Sequence, residues 1–404
     1  MARLHQGSGV TSPLDVPAIQ QALAADRLDG WLLYDFHGSN PIAQQLTGLN
    51  HGPHMTTRRW YYLIPATGEP RALVHAIEQH NLDHLPGTRI QYAGRQQLDA
   101  GLTALLGQAK RVAMEYSPDC AIPYVSRVDA GTVEAIRKRG VEIVSSGDLV
   151  QQFEATWSAA QLALHREAAA ALYRIKDRAF EEASGALAAG RRQTEYDLQQ
   201  LMVQWFREEG LVSDAPPVVA IGANAGNPHY LPTSEHNRVI VDDEVLLLDL
   251  WGKRSQPGAV FADITWVGAT SRQVPAEAAA AFQAIVRARD TAIDLVQTCA
   301  GSGEDLRGWQ VDRAARQVLE NSGYGQFVLH RTGHSLGENV HGNGTHLDDY
   351  ETHDERRIVP RTGFTIEPGL YFEHFGVRTE INVYRGDRDA EVTGERQQNI
   401  VTLR

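Results

Sequence analysis

Short apolar runs alternate with helical patterns over the first 150 residues of the chain. Apolar residues recur with helical spacing at 15–27 and 96–108, which predicts two amphipathic helices. Apolar runs bounded by turn residues predict strands at 31–35, 59–65, 71–76, 111–116 and 141–145. This alternation predicts an α/β layer with a mixed sheet. We recognise no catalytic motif in this part of the chain.

The pattern changes near residue 155, where an Ala-rich sequence with helical spacing begins. Two helices, an irregular segment rich in Pro, Gly and Asn, and two strands are predicted, with the regular elements at 158–188, 193–210, 244–251 and 259–268. The same order then repeats, with elements at 275–299, 308–322, 363–372 and 376–385. We interpret the repeat as two similar halves that face each other across one site. The predicted fold class is therefore α/β (α+β), with domains at 1–155 and 156–404.

Residues of the types that bind metal ions lie on or beside apolar runs of the second domain: Asp249, Asp263, His334, Glu367 and Glu380. The runs VLLLDLW, VFADITWV, FVLHRTGHSLG, GFTIEPGLYF and GVRTEINVY are typical of buried strands. A carboxylate that is buried alone is costly and normally needs a cation or several hydrogen bonds. Few Lys or Arg residues occur in these runs, so the pattern predicts a bound divalent metal.

Strand alternation indicates which side chains share a face. In VFADITWVG, Asp263 and Thr265 share one face, opposite two apolar residues. In GVRTEINVY, the residues that share a face are Arg378, Glu380 and Asn382. Each strand therefore has one apolar face and one face suited to chemistry, although an ordinary solvated face would give the same alternation.

Composition narrows the class of protein. The chain has 404 residues and a net charge of −12, which argues against nucleic acid as the main partner because phosphate binding requires a basic face. Two distant cysteines exclude a disulfide scaffold and a cysteine-type zinc site. The N-terminus carries no secretion signal, and no apolar run approaches the length of a membrane span. We expect a cytoplasmic enzyme without a membrane partner.

The string GHSLG also matches the nucleophile-elbow pattern G-x-S-x-G, with Ser335 at its centre. This motif predicts a serine hydrolase as a competing function. An elbow passes from a strand directly into a helix, whereas the residues after GHSLG, ENVHGNGTHLDD, do not have a helical pattern. Glycines on both sides of His334, by contrast, allow the backbone to approach closely, so that the imidazole can point into a site.

Six motifs occur in combination: PHY at 228–230, DLW, ADIT, GHSLG followed by His341, TIEPGLY and VRTEINV. Together they resemble the pita-bread metallopeptidases, which include methionine aminopeptidase, aminopeptidase P, prolidase and creatinase. The first 155 residues resemble the creatinase-type N-terminal domain of the last three enzymes, so the resemblance covers essentially the whole chain. It implies a pita-bread domain of two pseudo-symmetric helix-helix-strand halves at 156–404, most like that of a bacterial Xaa-Pro dipeptidase.

The resemblance implies two divalent metal ions per subunit. Asp249 would bind one ion, and Asp263 and Glu380 would bridge both. His334 and Glu367 would complete the second. Oxygen-rich ligation with a single histidine favours manganese or a similarly hard ion, with zinc and cobalt as alternatives.

The resemblance also implies catalytic roles. The counterpart of Glu367 moves a proton to and from a metal-bridging water. His341 would stabilise the tetrahedral intermediate, and His229 and His330 would line the substrate pocket. Arg378 would support the hydrogen-bond network around the ligands.

The expected function is hydrolysis of Xaa-Pro bonds in dipeptides, by a homodimer whose substrate is a small peptide with proline at the second position. Alternatives are release of the N-terminal residue from longer Xaa-Pro peptides, as by aminopeptidase P, a metal-free creatinase-like amidinohydrolase, and a non-catalytic binding protein. Relatives with this N-terminal domain commonly use the partner's domain to close the site. The loop 48–59, which contains His51 and His54, is a candidate for that role.

The chain also departs from the family pattern. About three extra residues lie between Asp249 and Asp263, in GKRSQPG. Ala215 or Pro216 stands where many dipeptide-specific prolidases have a tyrosine. The arginine that anchors the substrate carboxylate in those enzymes has no clear match in THDERRIVP, where the arginines are offset. The metal chemistry is therefore better defined by the sequence than the choice of substrate.

Overall fold

The computed structural model describes residues 14–50 and 55–404. His51 and His54, which we considered for closing a partner's site, lie outside the described residues, as does the segment before Leu14. Two compact units are present, and the boundary between them falls between Glu154 and Ala155. No helix in the described parts of the chain is both long enough and apolar enough to cross a membrane.

A six-stranded mixed sheet forms the centre of the first unit. Its strands are β1 (Gly30–Asp35), β2 (Trp60–Pro65), β3 (Arg71–His75), β4 (Thr88–Tyr92), β5 (Arg111–Met114) and β6 (Glu142–Ser145). The strand order is β4-β3-β2-β1-β5-β6, with β2 antiparallel to both of its neighbours and the remaining pairs parallel. The predicted mixed sheet is confirmed; β4 had not been predicted.

Helices cover both faces of this sheet. They are α1 (Val16–Ala25), α2 (Pro41–Thr47), α3 (Arg95–Leu106), α4 (Ala130–Arg137) and α5 (Gly147–Phe153). Because side chains alternate along β1, Trp31 and Leu33 pack with residues of α1, α2 and α5, whereas Leu32 and Tyr34 pack with residues of α3 and α4.

Two pairs of helices organise the second unit. They are α6 (Ala159–Ala188), α7 (Glu195–Glu208), α8 (Ala276–Ser302) and α9 (Gly308–Asn321). A capping box starts α6, because the Ser158 hydroxyl accepts from the Gln161 backbone and the Gln161 side chain accepts from the Ser158 backbone. A long helix is thus followed by a 14-residue helix twice, in the predicted order.

The strands of the second unit divide between two main sheets and one short pair. They are β7 (Leu211–Val212), β8 (Val218–Ile221), β9 (Val245–Arg254), β10 (Ala262–Ala269), β11 (Ser335–Leu336), β12 (Thr362–Ile366), β13 (Gly369–Tyr371), β14 (Gly376–Arg378), β15 (Ile381–Arg385), β16 (Ala390–Val392) and β17 (Val401–Thr402). One sheet has the order β17-β10-β9-β7, with β8 also paired to β9, and the other has the order β11-β12-β15-β16. The two-stranded pair is β13-β14.

Three predicted strands of the second half differ from the structure. The runs at 363–372 and 376–385 each break into two strands, at Glu367 and Pro368 and again at Thr379 and Glu380. Proline has no backbone N–H to donate to a ladder, and the Glu367 N–H donates instead to the Thr332 carbonyl at 2.7 Å. The run FVLHRTGHSLG is irregular except for β11, so its prediction as a strand was largely wrong.

Candidate metal centre

Strand register brings two aspartates to one face of the β9–β10 hairpin. Asp249 lies opposite Thr265, and Trp251 lies opposite Asp263. Directly opposed residues project from the same face of a sheet, and so do alternate residues along one strand. All four side chains therefore share one face, and the face predicted for Asp263 and Thr265 is the one on which the carboxylates gather.

The second sheet contributes the remaining ligand-type residues. Atoms of Asp263, His334 and Glu380 that can bind a metal lie within 4.8 Å of one another. His334 Nε2 lies 3.6 Å from Oδ2 of Asp263 and 3.6 Å from Oε1 of Glu367. Asp249 joins the group through Arg378, which contacts both Asp249 and Glu380. The structure thus brings all five predicted residues into one cluster.

Backbone contacts aim the His334 ring at the carboxylates. Its backbone N–H donates to Oγ1 of Thr365 at 3.0 Å, and its Nδ1 lies 3.1 Å from the Ser335 carbonyl. A hydrogen bond from Nδ1–H to that carbonyl leaves Nε2 as the free lone pair. At Gly333, a Cβ would lie 2.1 Å from the Thr365 carbonyl oxygen, so only glycine permits this approach.

The cluster concentrates negative charge in a buried place. Burial, reinforced by the neighbouring carboxylates, raises the pKa of Asp263 and of Glu380 well above the usual range. Burial likewise raises the pKa of Asp249, and it raises that of Glu367 to about 7. Burial lowers the pKa of His334, so this imidazole is neutral. The protein alone does not supply enough positive charge to keep all four carboxyl groups ionised.

A divalent cation fits this donor set. Oδ1 of Asp263 is buried and has no hydrogen-bond partner among the residues that the structure describes. An unsatisfied buried oxygen of this kind needs an explanation such as an ion. Carboxylate oxygens with one imidazole nitrogen suit hard or borderline divalent metals, whose charge would compensate the acidic groups.

Arg378 links the cluster to residues for which the sequence predicted no role in the site. Its guanidinium donates to Oδ2 of Asp249, to Oγ1 of Thr265 at 2.9 Å and to the Tyr371 hydroxyl at 3.1 Å. The Tyr371 hydroxyl also lies 2.7 Å from Nε2 of His330. The Thr265 hydroxyl donates to Oε2 of Glu380 at 2.7 Å. Tyr371 could have been selected from its place in TIEPGLY, and Thr265 from the face that it shares with Asp263.

Three further predicted histidines lie around the cluster. The ring of His341 meets that of His334 edge to face, with centroids 4.3 Å apart. His229 is exposed and lies near both His330 and His341. Burial is the main cause that lowers the pKa of His341. Burial and the nearby Arg378 charge lower the pKa of His330 to about 3. His330 is therefore neutral at physiological pH.

A buried glutamate shapes the segment that carries His229. Glu195, at the start of α7, accepts hydrogen bonds from the Ile221 N–H at 2.7 Å, from the Tyr230 hydroxyl at 2.5 Å and from the Arg238 N–H at 2.6 Å. These contacts bracket His229 on both sides in sequence. The helical pattern gave no sign that Glu195 would be fully buried, since its partners are all distant along the chain.

The proposed serine nucleophile and the two arginines of THDERRIVP have surroundings that do not suit the roles considered for them. Ser335 is buried in β11, and the chain continues into an irregular segment, so the strand-to-helix turn of a nucleophile elbow is absent from this stretch. Arg356 is buried, bonded to both carboxylate oxygens of Asp354 and to two backbone carbonyls. Because of these four hydrogen bonds, Arg356 has no free guanidinium edge for a substrate carboxylate. Arg357 pairs with Asp305 at 3.3 Å.

The fold and the cluster define a two-unit α/β protein with a candidate metal centre between two sheets of its second unit. The model of metallopeptidase family M24 matches residues 163–385, and the chain belongs to this family. The predicted resemblance and fold class are confirmed.

Curated relatives match part of the chain. A putative Xaa-Pro aminopeptidase of Mycoplasma genitalium is 27% identical over 184 residues, which cover 43% of this chain and 46% of the relative. The probable dipeptidase PepE of Mycobacterium tuberculosis is 26% identical over 242 residues, 60% of this chain and 59% of the relative. The putative dipeptidase YkvY of Bacillus subtilis is 27% identical over 61% of this chain and 62% of the relative. The chain thus spans less than two thirds of the length of these relatives.

Solved structures share the fold over nearly the whole chain. Dipeptidase PepE from Mycobacterium ulcerans superposes with a TM-score of 0.72 at 22% identity, covering 96% of both chains. Prolidase from Thermococcus sibiricus superposes with a TM-score of 0.67 at 20% identity, covering 98% of this chain and 100% of its own. The pita-bread architecture is therefore shared at low sequence identity.

Proposed function

We propose that this protein is a dinuclear metal-dependent exopeptidase that hydrolyses Xaa-Pro bonds of dipeptides. The observation that carries the proposal is that five ligand-type residues, three of them buried, are linked in one cluster either directly or through Arg378. One oxygen of Asp263 has no hydrogen-bond partner among the residues that the structure describes. Membership of family M24 supports it, as do relatives named as dipeptidases and as an Xaa-Pro aminopeptidase.

In this proposal Asp249 would hold one metal ion, His334 would hold the other, and Asp263 and Glu380 would serve both. Glu367 completes the site beside His334. Manganese is the ion that we favour, because the donors are mostly carboxylate oxygens. When bound, such a pair of ions lowers the pKa of a water molecule and polarises the scissile carbonyl.

Glu367 is the residue that we assign to proton transfer. Its Oε1 accepts from the Thr365 hydroxyl at 3.3 Å and faces His334, which fixes the orientation of the carboxylate. Burial raises its pKa to about 7 in the metal-free protein, and a positioned carboxylate of this kind can act as a general base and a general acid. Glu367 takes a proton from the attacking water and returns it to the departing prolyl nitrogen.

His341, whose pKa is lowered by burial, would supply a hydrogen-bond donor without added positive charge. In this proposal His341, which packs edge to face against His334, would donate to the oxyanion of the tetrahedral intermediate. His229 and His330 line the substrate pocket in this proposal. His330 is held by Tyr371, and Tyr371 is held by Arg378, so the pocket wall and the ligand Asp249 share one hydrogen-bonded chain.

One observation favours a second candidate, release of the N-terminal residue from longer peptides. A dipeptidase needs a cation for the carboxylate of its short substrate, and Arg356 is buried and fully bonded to Asp354 and backbone carbonyls. A longer substrate would present a peptide bond at that place and would need no such cation.

The deciding assay compares Xaa-Pro dipeptides with Xaa-Pro-Yaa tripeptides. EDTA treatment should abolish cleavage of the preferred substrate, and added Mn²⁺ should restore it. The double variant Asp263→Asn, Glu380→Gln should remain inactive after Mn²⁺ addition. Faster turnover of tripeptides would favour the second candidate, and full cleavage by the double variant would refute a two-metal mechanism.

A further inference from the structure

The face of β9 that carries Asp249 continues beyond the metal cluster. Trp251 and Lys253 follow at alternate positions, so both project on the Asp249 side of the sheet. Val212 of β7 pairs with Lys253, which brings the residues just after β7 alongside Trp251. Asp214 lies there, and its Oδ1 accepts a hydrogen bond from Nε1 of Trp251 at 2.6 Å.

Asp214 offers an exposed carboxylate beside Trp251, just after the strand that pairs with β9. Burial lowers the pKa of His341, a residue of the proposed pocket, and the charge of Asp214 is near enough to oppose that effect in part. Within the residues that the structure describes, Asp214 forms no ion pair. The hydrogen bond to Trp251 engages one oxygen, and the other is free to accept.

Lys253, the neighbouring cation, already has other partners. Lys253 Nζ donates to the Glu338 carbonyl at 2.6 Å and lies 5.1 Å from the centre of the Phe261 ring. Its charge interacts with Asp214 at longer range without forming a contact pair. Asp214 therefore keeps unsatisfied capacity for a positively charged group beside the Trp251 indole, and aromatic faces themselves attract cations.

We propose that Asp214, held in place by Trp251, determines specificity by binding a cationic side chain on the substrate residue that precedes the scissile bond. This assignment rests on the proposed Xaa-Pro exopeptidase function. Because the second residue of such a dipeptide is proline, the first residue has the only variable side chain. Asp214 stands two strands from Asp263, about 10 Å at ~4.8 Å per strand. The extended side chain of lysine or arginine spans most of that distance across the indole.

Two isosteric substrate pairs test the assignment. Lysyl-proline is compared with norleucyl-proline, and arginyl-proline with citrullyl-proline, by kcat/KM in the Mn²⁺-loaded enzyme. We expect the wild type to favour each cationic member by about fivefold at low salt, the range of an exposed ion pair. The preference should shrink as ionic strength rises, because exposed charge pairs are screened.

The variant Asp214→Asn keeps an acceptor for Trp251 but removes the charge. It should lose the preference by lowering kcat/KM about fivefold for the cationic substrates alone. Trp251→Phe keeps a ring but loses the donor, and it should reduce the preference. Asp294→Asn, at an exposed position of α8, makes the same change in net charge and should leave the preference intact.

The outcomes distinguish failure of the Asp214 assignment from failure of the proposed exopeptidase function. If Asp214→Asn lowers kcat/KM equally for charged and neutral substrates, the role of Asp214 is overturned and the exopeptidase function still stands. A wild type that shows no preference for cationic substrates would do the same. Failure of the metal-loaded wild type to cleave any Xaa-Pro peptide would overturn the proposed function and this assignment together.

Discussion

Arg378, which is buried, forms an ion pair with the half-buried Asp249, in which its guanidinium donates to Oδ2 of the carboxylate. Without a counter-charge, burial would favour the protonated form of Asp249, and the positive charge of Arg378 opposes that effect. The same guanidinium reaches Thr265 and Tyr371. One arginine therefore favours the charged form of a proposed metal ligand and fixes the direction of its carboxylate.

Replacing Arg378 by lysine should lower kcat about 10- to 100-fold, the usual cost of losing a group that orients a metal ligand. Lysine keeps the charge but cannot make the same planar set of hydrogen bonds. Steady-state kinetics at saturating Mn²⁺, together with metal analysis, would measure the effect. Wild-type kcat in the lysine variant would show that charge alone is sufficient.

Thr265 is fully buried and bonded to both Glu380 and Arg378, so its hydroxyl is a test of the network. Thr265→Val keeps the shape and removes the hydroxyl. We expect the free energy of unfolding to fall by about 1–3 kcal/mol, because polar partners are left unsatisfied. Thr265→Ser should recover part of this loss. Denaturant titration checks both variants, and equal stability of the valine and serine variants would contradict the role of the hydroxyl.

Glu367→Gln should separate proton transfer from metal binding. The amide oxygen can still ligate, whereas the amide cannot act as a base, so we expect metal content to persist while kcat falls about 10²–10⁴-fold. Metal analysis of the purified variant and single-turnover kinetics provide the measurement. A kcat within a few fold of the wild type would assign proton transfer to another group.

Metal binding should release protons and weaken as pH falls. The pKa values of Asp263, Glu367 and Glu380 are all raised in the metal-free protein, so these groups hold protons that a cation must displace. Affinity for Mn²⁺ should therefore drop as pH falls from about 8 to about 6, across the Glu367 pKa of about 7. Calorimetry in buffers of different ionisation enthalpy counts the released protons. A pH-independent affinity would contradict this expectation.

His165 should make the second unit sensitive to acid. It is fully buried between the Phe261 carbonyl and the Thr393 hydroxyl, and burial lowers its pKa from 6.5 to about 4. A lowered folded-state pKa means that the unfolded chain binds the proton first, so stability is lost as pH falls from 6.5 towards 4.

At a pH near the folded-state pKa of about 4, His165 should lower the free energy of unfolding by about 3 kcal/mol, since each pKa unit corresponds to ~1.4 kcal/mol. His165→Gln should lose less stability than the wild type on acidification, as measured by urea unfolding in EDTA. The exposed His374→Gln variant serves as the control and should follow the wild type. Parallel pH profiles for the wild type and His165→Gln would exclude this origin of acid sensitivity.

Strong periodicity and cap residues made the long helices predictable from the sequence. The pattern at 158–188 gave α6 almost to the residue, because Ser158 supplies a capping box and the apolar spacing is sustained. Asp249 and Asp263 were predictable for a similar reason, since each interrupts an otherwise apolar strand. The face shared by Asp263 and Thr265 followed from simple alternation.

Long-range contacts determine the features that the sequence pattern did not predict, such as the breaks in the last strands. Glu367 and Glu380 lie at strand breaks, because their backbone N–H groups bond to Thr332 and Thr265 and leave the ladder. No local pattern encodes those partners. The engagement of Tyr371 with His330, and of Arg356 with Asp354, likewise depends on residues that meet only after folding.

The two halves of the second unit exchange backbone contacts at the proposed bridging ligands. The Asp263 N–H of the first half donates to the Asn382 side chain at 2.9 Å, and the Glu380 N–H of the second half donates to the Thr265 carbonyl at 3.2 Å. Each carboxylate is therefore anchored by the opposite half. A fragment containing either half alone would therefore lack the correct spacing between the carboxylates. The affinity for metal should depend on how stably the two halves pack against each other.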